Sequence, residues 1–342
     1  MEMAEPGAVL LRLVNGAAAA QVVGVAARLG LADLLAEGPR DAETLAAATG
    51  THAPSLWRLL RALAALGIAT EEADGRFALG PVGGPLRSSV PGSVRDLALL
   101  FGHPDFWATW GALDHCIRTG ETAVRHLFGV ETTFERYAAD PTFSAVFDAG
   151  MAVLAERGAA AVLAAWSFPE EGLVVDVGGG QGTLLAAVLR ARPRLRGVVL
   201  DLPGVADRAT RLLQATDLGD RARAESGDMF SGVPEGADLY LLKSVLHDWA
   251  DDRAAAVLRS CRVAMTKPGV RLLVIERVMP ERMATEPVAI AHTVADLMML
   301  TRAGGRERTE AEFAALLDRA GLRLARVVPT ASQYSVLEAE AS

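Results

Sequence analysis

The stretch with the clearest chemical potential is residues 173–182, LVVDVGGGQG, where a short apolar run ends at Asp176 and breaks into closely spaced glycines. β-Branched residues favour a buried strand, and the glycines favour a tight turn that leads into a helix. Backbone without Cβ atoms lets a ligand lie against peptide groups, and the N–H groups of the next helix face that ligand. The stretch therefore predicts a nucleotide-type binding turn.

Two acids further along the chain narrow the choice of ligand. Asp201 ends the next apolar run, VVLD, and is placed to accept hydrogen bonds from a ribose diol. Asp228 follows a third predicted strand and precedes Met229 and Phe230, an apolar pair suited to an adenine ring with its exocyclic amine. A dinucleotide fingerprint needs a third glycine where Thr183 stands, so the pattern disfavours a nicotinamide cofactor.

His247 is the candidate general base. It lies in LLKSVLHDW, just past the fourth predicted strand, and open α/β sheets bind ligands at the carboxyl ends of their strands. A phenol with a pKa of about 10 is mostly neutral at pH 7, and an imidazole with a pKa near 6.5 is free to accept its proton. A satisfied structural histidine is the alternative. Asp248 and Asp251 are expected to cap the helix that follows.

The segments that position these residues follow the sequence pattern of an α/β fold. From residue 172 short apolar runs alternate with amphipathic segments, which is typical of a doubly wound, Rossmann-like parallel sheet. Thr309 and Glu312 predict a capping box ahead of the last helix. Seven strands are predicted, at LVVDV, GVVLD, RARAE, DLYLLK, RLLVIE, RLARVV and YSVLEA.

Residues 41–85 predict a winged-helix layout. A short helix capped by Asp41 is followed by a second helix from about residue 54 to 66 and then by a hairpin. The second helix offers only Arg58 and Arg61 as basic residues, whereas a helix that reads a DNA groove needs a polar, basic face. A buried structural use of this module is therefore favoured over DNA binding.

Two further helical regions flank this module. Residues 8–35 carry apolar side chains at helical spacing with few charges, so these helices are expected to be buried nearly all round, against a second copy of the chain or the following domain. Residues 96–165 hold most of the aromatic side chains, which line either a core or a flat apolar pocket. The predicted domains are an N-terminal domain at 1–95, a helical linker at 96–165 that contributes to the substrate pocket, and the catalytic domain at 166–342.

Composition excludes several classes of protein. The formal charge is −8 over 342 residues, and no run of basic residues is long enough to follow a phosphate backbone, so nucleic acid is not an expected partner. Cys116 and Cys261 have no disulfide or zinc spacing, which fits a reducing cytoplasm. Glu2 and Glu5 stand where a signal peptide needs positive charge, and no segment is expected to span a membrane.

Five motifs in order, DVGGGQG, LDLP, GDMF, LKSVLHDW and GGRERT, make the chain resemble the S-adenosylmethionine-dependent O-methyltransferases of the plant caffeate and bacterial polyketide-tailoring type, which are acetylserotonin O-methyltransferase-like. The resemblance runs through the whole chain, because that family also has an N-terminal winged-helix dimerisation domain. It implies a class I methyltransferase fold, a homodimer through the N-terminal helices and S-adenosylmethionine as the cofactor.

The resemblance also implies site residues. It places Glu276 and Glu307 beside His247, where an acid would fix the tautomer and stabilise the imidazolium as it forms. Without the family, Glu307 would be read as a solvated charge among neighbouring arginines. His292 is expected on a helix surface, and no metal site is expected. Arg302 has no safe assignment. The implied cofactor residues are Gly178, Gly180, Asp201, Leu202, Asp228, Met229, Lys243 and Trp249, and the implied substrate residues are Phe147, Met151 and Met299.

The expected activity is methyl transfer to a hydroxyl of an aromatic small molecule, as in natural-product tailoring, with His247 as general base. Two alternatives stay open at this point. The same fold could act on carbon or nitrogen, because the motifs report the cofactor and not the acceptor. A winged-helix regulator could instead use the nucleotide-binding half to sense a ligand, and such a protein would bind duplex DNA with a steep salt dependence.

Overall fold

The computed structural model describes residues 5–283 and 287–342 and falls into two compact units. The first unit comprises the residues up to 108 together with 145–153, and the second comprises 109–144 and 154–342. Glu2, which entered the argument against a signal peptide, lies outside the described residues.

The first unit contains the predicted winged-helix module. Asp41 caps the first helix of that module, because its Oδ1 accepts a hydrogen bond from the N–H of Thr44 at 2.7 Å. Leu45, Leu60 and Phe77 are fully buried and join the helices to the hairpin in one core. The elements are α1 (Pro6–Arg28), α2 (Leu31–Ala36), α3 (Ala42–Thr49), α4 (Ala53–Ala65), β1 (Ala69–Glu71), β2 (Phe77–Leu79) and α5 (Arg95–Phe101), followed at the boundary by α6 (Pro104–Gly111).

Within the single chain, one face of helix α1 stays exposed. Leu10, Leu11, Leu13 and Val14 are each between 64 % and 72 % exposed in the single chain. By length and composition alone the helix is also long and apolar enough to cross a membrane, a test that the core helix of a soluble protein passes as well. In general, an exposed apolar face of this kind marks a place where another surface packs on the protein.

The second unit carries the predicted strands and the helices between them. Its elements are α7 (Leu113–Thr119), α8 (Ala123–Phe128), α9 (Thr133–Ala139), α10 (Pro141–Ala165, of which 145–153 belong to the first unit), β3 (Glu171–Val177), α11 (Thr183–Ala191), β4 (Arg194–Asp201), α12 (Pro203–Gln214), β5 (Ala222–Ser226), β6 (Leu239–Lys243), a 3₁₀ turn (Leu246–Asp248), α13 (Asp251–Ala264), β7 (Arg271–Glu276), β8 (Val278–Met279), α14 (Pro287–Arg302), β9 (Arg308–Thr309), α15 (Glu310–Asp318), β10 (Leu322–Pro329) and β11 (Ser335–Ala341).

Seven strands of the described chain form one sheet in the order β10-β11-β7-β6-β3-β4-β5. The five strands from β7 to β5 are parallel, and β11 runs antiparallel to both of its neighbours. Apolar side chains point alternately to the two faces, with Val175 and Tyr240 in one core layer and Val174 and Leu241 in the other. The Rossmann-like α/β prediction and its seven strands are confirmed.

The register places the ends of the parallel strands at one edge of the sheet. Val177 pairs with Leu200, and Lys243 pairs with Ile275, so each strand stops within about one residue of its neighbour. The short pair β8–β9 was not predicted, because two-residue strands show no periodicity. It joins the chain that follows Glu276, the last residue of β7, to the segment that follows Glu307.

Candidate active site

The glycine turn after β3 leaves bare backbone at the edge of the sheet. Gly178 and Gly180 adopt φ angles of 66° and 59°, which glycine reaches without strain. A Cβ at Gly178 would lie 2.8 Å from Cγ2 of Val245, whereas a Cβ at Gly180 would meet nothing within 4 Å among the described residues. The turn at Gly180 therefore borders open space, and α11 begins after Gly182.

Asp201 closes β4 beside this turn. Its Oδ2 accepts a hydrogen bond from the N–H of Gly180 at 2.8 Å, and its Oδ1 accepts one from the N–H of Leu202 at 2.7 Å. Leu202 is 44 % exposed, which is high for a leucine directly after a core strand. Asp228 lies two residues past the end of β5, is exposed, and accepts a hydrogen bond from the N–H of Phe230 at 2.9 Å. The structure thus brings Gly180, Asp201 and Leu202 together.

An aromatic group lies next along the edge. The ring of Trp249 contacts Phe230 edge-on at 4.9 Å between centroids and stacks on Phe134 at 5.7 Å. Met229 packs with Phe230 against the core of the sheet. Lys243 ends β6, and its Nζ lies 3.3 Å from the hydroxyl of Ser244 and 4.5 Å from the centre of the Tyr334 ring.

Asp176 is a candidate site residue that the sequence argument did not assign. It is only 1 % exposed, and apart from a weak interaction with the N–H of Leu185 its carboxylate has no hydrogen-bond partner in the part of the chain described. Burial raises its pKa to about 7, while the charge of Lys243 opposes that rise and the charge of Asp201 adds to it. The sequence signal for Asp176 was an acid near the end of an otherwise apolar strand.

His247 lies between two carboxylates. Its Nδ1 is 2.9 Å from Oε2 of Glu276 and 3.5 Å from Oε1 of Glu307. Both glutamate side chains are fully buried, so Glu307 is not a solvated charge. The 3₁₀ turn Leu246–Asp248 carries the imidazole, and β7 and the segment before β9 carry the two acids.

Glu276 both holds the turn and faces the ring. Its Oε1 accepts hydrogen bonds from the N–H groups of Val245 and Leu246, each at 2.9 Å. That leaves Oε2 directed at His247. Burial would raise the pKa of Glu276, but the positive charge of His247 and the two backbone donors outweigh it, so this pKa is lowered.

Arg277 balances the second acid and was missed in the sequence. Its Nη1 donates to Oε1 of Glu307 at 3.0 Å, and the guanidinium is buried. The backbone N–H of Glu307 donates to Oδ1 of Asp296 at 2.8 Å, which fixes the loop before β9. Burial still raises the pKa of Glu307. The signal for Arg277 was its place directly after a strand that ends in an acid.

The charges around His247 change its basicity. Burial alone would lower its pKa, but the negative charges of Glu276, Asp248 and Glu307 outweigh burial and raise the pKa to about 10. The ordinary imidazole pKa near 6.5 does not hold for His247. His247 is therefore a stronger base than a free imidazole, and it is mostly protonated at neutral pH.

The expectation that Asp248 and Asp251 cap α13 was wrong. The N-cap residue is Ala250, and no side chain caps this helix. The 3₁₀ turn carries Asp248 inward, where its Oδ1 lies 3.8 Å from Nε2 of His247 and burial raises its pKa to about 6. Asp251 instead accepts hydrogen bonds from Arg308 at 2.8 and 3.0 Å.

The loop before β9 packs tightly on the histidine turn. Arg308 is fully buried and donates to the carbonyl oxygens of Leu246 at 2.9 Å and Trp249 at 2.8 Å. A Cβ on Gly305 would lie 2.0 Å from the carbonyl oxygen of His247, so this position accepts only glycine. These contacts fix the backbone before and after His247 and thereby position its imidazole.

The three substrate residues implied by the resemblance are not all in one unit. Met299 is buried on α14, in the same unit as His247. On the same helix Arg302 is buried and donates to the hydroxyl of Tyr137. Phe147 and Met151 lie four residues apart on α10, in the segment that belongs to the first unit.

Models of two known protein families match separate parts of the chain. The model of the O-methyltransferase domain matches residues 110–323, and the model of the O-methyltransferase dimerisation domain matches residues 11–86. The second match confirms the expected homodimer through the N-terminal helices.

Relatives match over nearly the whole chain. A phenazine O-methyltransferase of Lysobacter antibioticus is 41 % identical over 97 % of this chain and 95 % of its own length. An O-demethylpuromycin O-methyltransferase of Streptomyces alboniger is 42 % identical over 96 % of this chain and 88 % of its own. An O-methyltransferase from neocarzinostatin biosynthesis, solved with S-adenosylmethionine and 2-hydroxy-5-methyl naphthoic acid, superposes with a TM-score of 0.81 at 39 % identity, covering 94 % of this chain and 96 % of that one.

Proposed function

Since the chain belongs to the family of S-adenosylmethionine-dependent O-methyltransferases, we propose that it methylates a phenolic or enolic hydroxyl of an aromatic natural product with His247 as general base. The observation that carries this proposal is the orientation of the imidazole. Its Nδ1 faces Glu276 and Glu307, so Nε2, which is 3.8 Å from Oδ1 of Asp248, is the atom left to take a proton.

The edge of the sheet fits the cofactor. S-adenosylmethionine supplies a methyl group on an electrophilic, positively charged sulfur. The buried carboxylate of Asp176 and the open backbone at Gly180 suit a ligand that carries an ammonium and a sulfonium. We propose that the cofactor is held by Gly178, Gly180, Asp201, Leu202, Asp228, Met229, Lys243 and Trp249.

The acid–base chemistry follows from the charges around the imidazole. His247 takes the hydroxyl proton at Nε2, and Glu276 and Glu307 stabilise the imidazolium. A phenol has a pKa of about 10, so proton transfer to a histidine with a matching pKa is nearly balanced. At pH 7 a pKa of about 10 leaves about one His247 in a thousand neutral, so the rate should rise with pH.

A flat aromatic acceptor is the substrate class we favour. The relatives are named for a phenazine and for a puromycin precursor, and the solved relative binds a naphthoic acid. We propose that Phe147, Met151 and Met299 form walls for such a ring, since aromatic and thioether groups pack well on flat apolar surfaces. In this proposal the chain comprises a dimerisation domain at 1–95, a helical linker at 96–165 that contributes to the substrate pocket, and a catalytic domain at 166–342.

The activity is tested by incubating the purified protein with S-adenosylmethionine and a panel of phenols, enols, aromatic amines and, as controls, aliphatic alcohols. Mass spectrometry scores the gain of one methyl group, and NMR identifies the atom that carries it. We expect methylation of an aromatic hydroxyl. Methylation confined to carbon or nitrogen, or salt-sensitive binding to duplex DNA without any transfer, would contradict the proposal.

Asp201→Ala is expected to weaken S-adenosylmethionine binding by about 10- to 100-fold, because a carboxylate hydrogen bond is worth about 1.5–3 kcal/mol. The carboxylate also holds the N–H groups of Gly180 and Leu202, so the variant loosens the turn as well. Isothermal titration with S-adenosylmethionine measures the change. Asp207→Ala, at an exposed position on α12, is the matched control. Equal affinity in the two variants would remove Asp201 from the site.

We propose that the enzyme acts in the cytoplasm and that α1 covers its apolar face in the dimer and not in a membrane. Cys116 and Cys261 are both buried free thiols, as a reducing compartment allows. The dimerisation-domain match begins within α1, at residue 11, which supports a protein partner for the exposed leucines.

A further inference from the structure

A second group of metal-ligating side chains lies on α7, α8 and the turn between them. Nε2 of His115 is 2.8 Å from Oε2 of Glu121. The imidazoles of His115 and His126 stack, with ring centroids 3.8 Å apart and an interplanar angle of 18°. One ligand atom from each of the three residues lies within 4.8 Å of the other two. His126 is exposed and the other two are partly exposed, so a solvated ion can reach them.

The local backbone fixes these three side chains relative to one another. Gly120 ends α7 in the left-handed conformation at φ 74°, which turns the chain sharply. The hydroxyl of Thr119 donates to the carbonyl oxygen of His115 at 2.8 Å and accepts from the N–H of Glu121 at 3.1 Å. Thr122 then caps α8. The ligands therefore come from a short, hydrogen-bonded connection and not from a flexible loop.

The donor set suits a divalent transition metal. A tetrahedral zinc with bonds of about 2.0–2.1 Å needs neighbouring ligand atoms about 3.3 Å apart. The observed separations, from 2.8 Å to at most 4.8 Å, bracket that value, and the two stacked imidazole rings must rotate out of their stack to point both nitrogen lone pairs at one ion. Two imidazoles and one carboxylate are ligands of Zn²⁺, Ni²⁺ and Cu²⁺, whereas Mg²⁺ and Ca²⁺ prefer oxygen alone.

The surrounding charges leave one carboxylate oxygen for an ion. Arg125 contacts Oε1 of Glu121 at 3.2 Å, and Glu131 offsets that arginine at 3.5 Å. Oε2 faces His115.

The cluster around His247 offers the same ligand types but is already occupied. Arg277 donates a hydrogen bond to Glu307, and the N–H groups of Val245 and Leu246 donate hydrogen bonds to one oxygen of Glu276. We propose that His115, Glu121 and His126 bind one divalent transition-metal ion of the zinc class, at a site separate from the proposed catalytic residues.

The metal would stabilise a turn that supports the catalytic loop. A Cβ on Gly304 would lie 3.3 Å from Cγ2 of Thr122, so the α7–α8 connection packs on the loop that carries Glu307. Helix α8 also packs on α14. Because a ligand that binds only the folded state stabilises it, Zn²⁺ should raise the melting temperature.

The test uses the full-length protein after chelator treatment and dialysis, titrated with Zn²⁺ by calorimetry and with Co²⁺ by visible absorption. We expect one bound equivalent in the wild type, at least a tenfold loss of affinity in His126→Gln and in Glu121→Gln, and no loss in the exposed control His52→Gln. His247→Asn should keep the site. Affinity should fall as pH drops and the imidazoles are protonated.

Circular dichroism checks that each variant is folded, and the exposed His126 is the position where substitution least disturbs packing. Three results would overturn the proposal: no bound equivalent in the wild type, equal binding in the wild type and both site variants, or a loss confined to His247→Asn. The first would leave His115 and Glu121 as a simple ion pair.

Discussion

His247→Ala is expected to lower kcat for a phenolic acceptor by about 10²- to 10⁴-fold, or about 2.7–5.4 kcal/mol of barrier, the range for loss of a general base. The affinity for S-adenosylmethionine should change little, because most of the proposed cofactor residues, from Gly178 to Met229, lie at the ends of β3, β4 and β5 and not on the histidine turn. Single-turnover kinetics at saturating cofactor measure the chemical step, and calorimetry measures the affinity.

The control for this variant is an acceptor that is already ionised at the assay pH. Such a phenol needs no base, so His247→Ala should lose much less activity on it than on a phenol with a pKa of about 10. In the wild type, kcat/KM should rise about tenfold per pH unit between pH 7 and 9, because the pKa of His247 is about 10. Equal losses on both acceptors would reject the base assignment.

Glu276→Gln is expected to lower kcat by about a hundredfold or more while the protein stays folded. The amide oxygen can still accept the N–H groups of Val245 and Leu246. Its NH₂ group would then face Nδ1 of His247, which must turn into an acceptor and move the proton to Nε2. That is the wrong tautomer for a base, a change that is worth up to about 10⁴-fold in serine proteases.

The pH dependence separates this role from a structural one. Removal of the negative charge beside His247 should lower its pKa toward the ordinary value, so the rising limb of the kcat/KM profile should move to lower pH. Glu310→Gln, at an exposed position on α15, is the control and should leave the profile in place. A Glu276→Gln variant with reduced activity and an unmoved profile would contradict the electrostatic role.

The same pair predicts a stability effect with a defined sign. The pKa of folded His247 is raised above the unfolded value near 6.5, so its ion pairing stabilises the fold fully below that value and is lost as pH rises toward about 10. The difference in free energy of unfolding between wild type and Glu276→Gln should therefore shrink from pH 7 to pH 10. Denaturant titrations at several pH values measure it.

Local patterns predicted much of the fold. Alternating apolar runs located all seven strands of the main sheet, and side-chain signals at Asp41 and Thr309 located two helix caps that the structure contains. These features depend on residues near each other in sequence. The β8–β9 pair and the bond from Arg277 to Glu307 span about thirty residues, and no local pattern encodes them.

The candidate site was likewise predicted in part and missed in part. The motifs brought forward His247, Glu276 and Glu307, and the structure places the three side chains in contact. The raised pKa of His247 could not be predicted, because it depends on the distances to three acids on separate segments. Asp248 was misread as a helix cap because it belongs to a 3₁₀ turn between strand and helix that places its carboxylate beside His247.

The close fit of Gly305 and Arg308 on the histidine turn has a practical consequence for enzyme engineering. The loop that carries Glu307 shares backbone contacts with the turn that carries His247, so exchanging this loop between relatives would displace the proposed base. Libraries meant to change acceptor range should therefore leave residues 304–308 unchanged. Variation is better placed at the proposed substrate residues Met299 on α14 and Phe147 and Met151 on α10, which lie outside this loop.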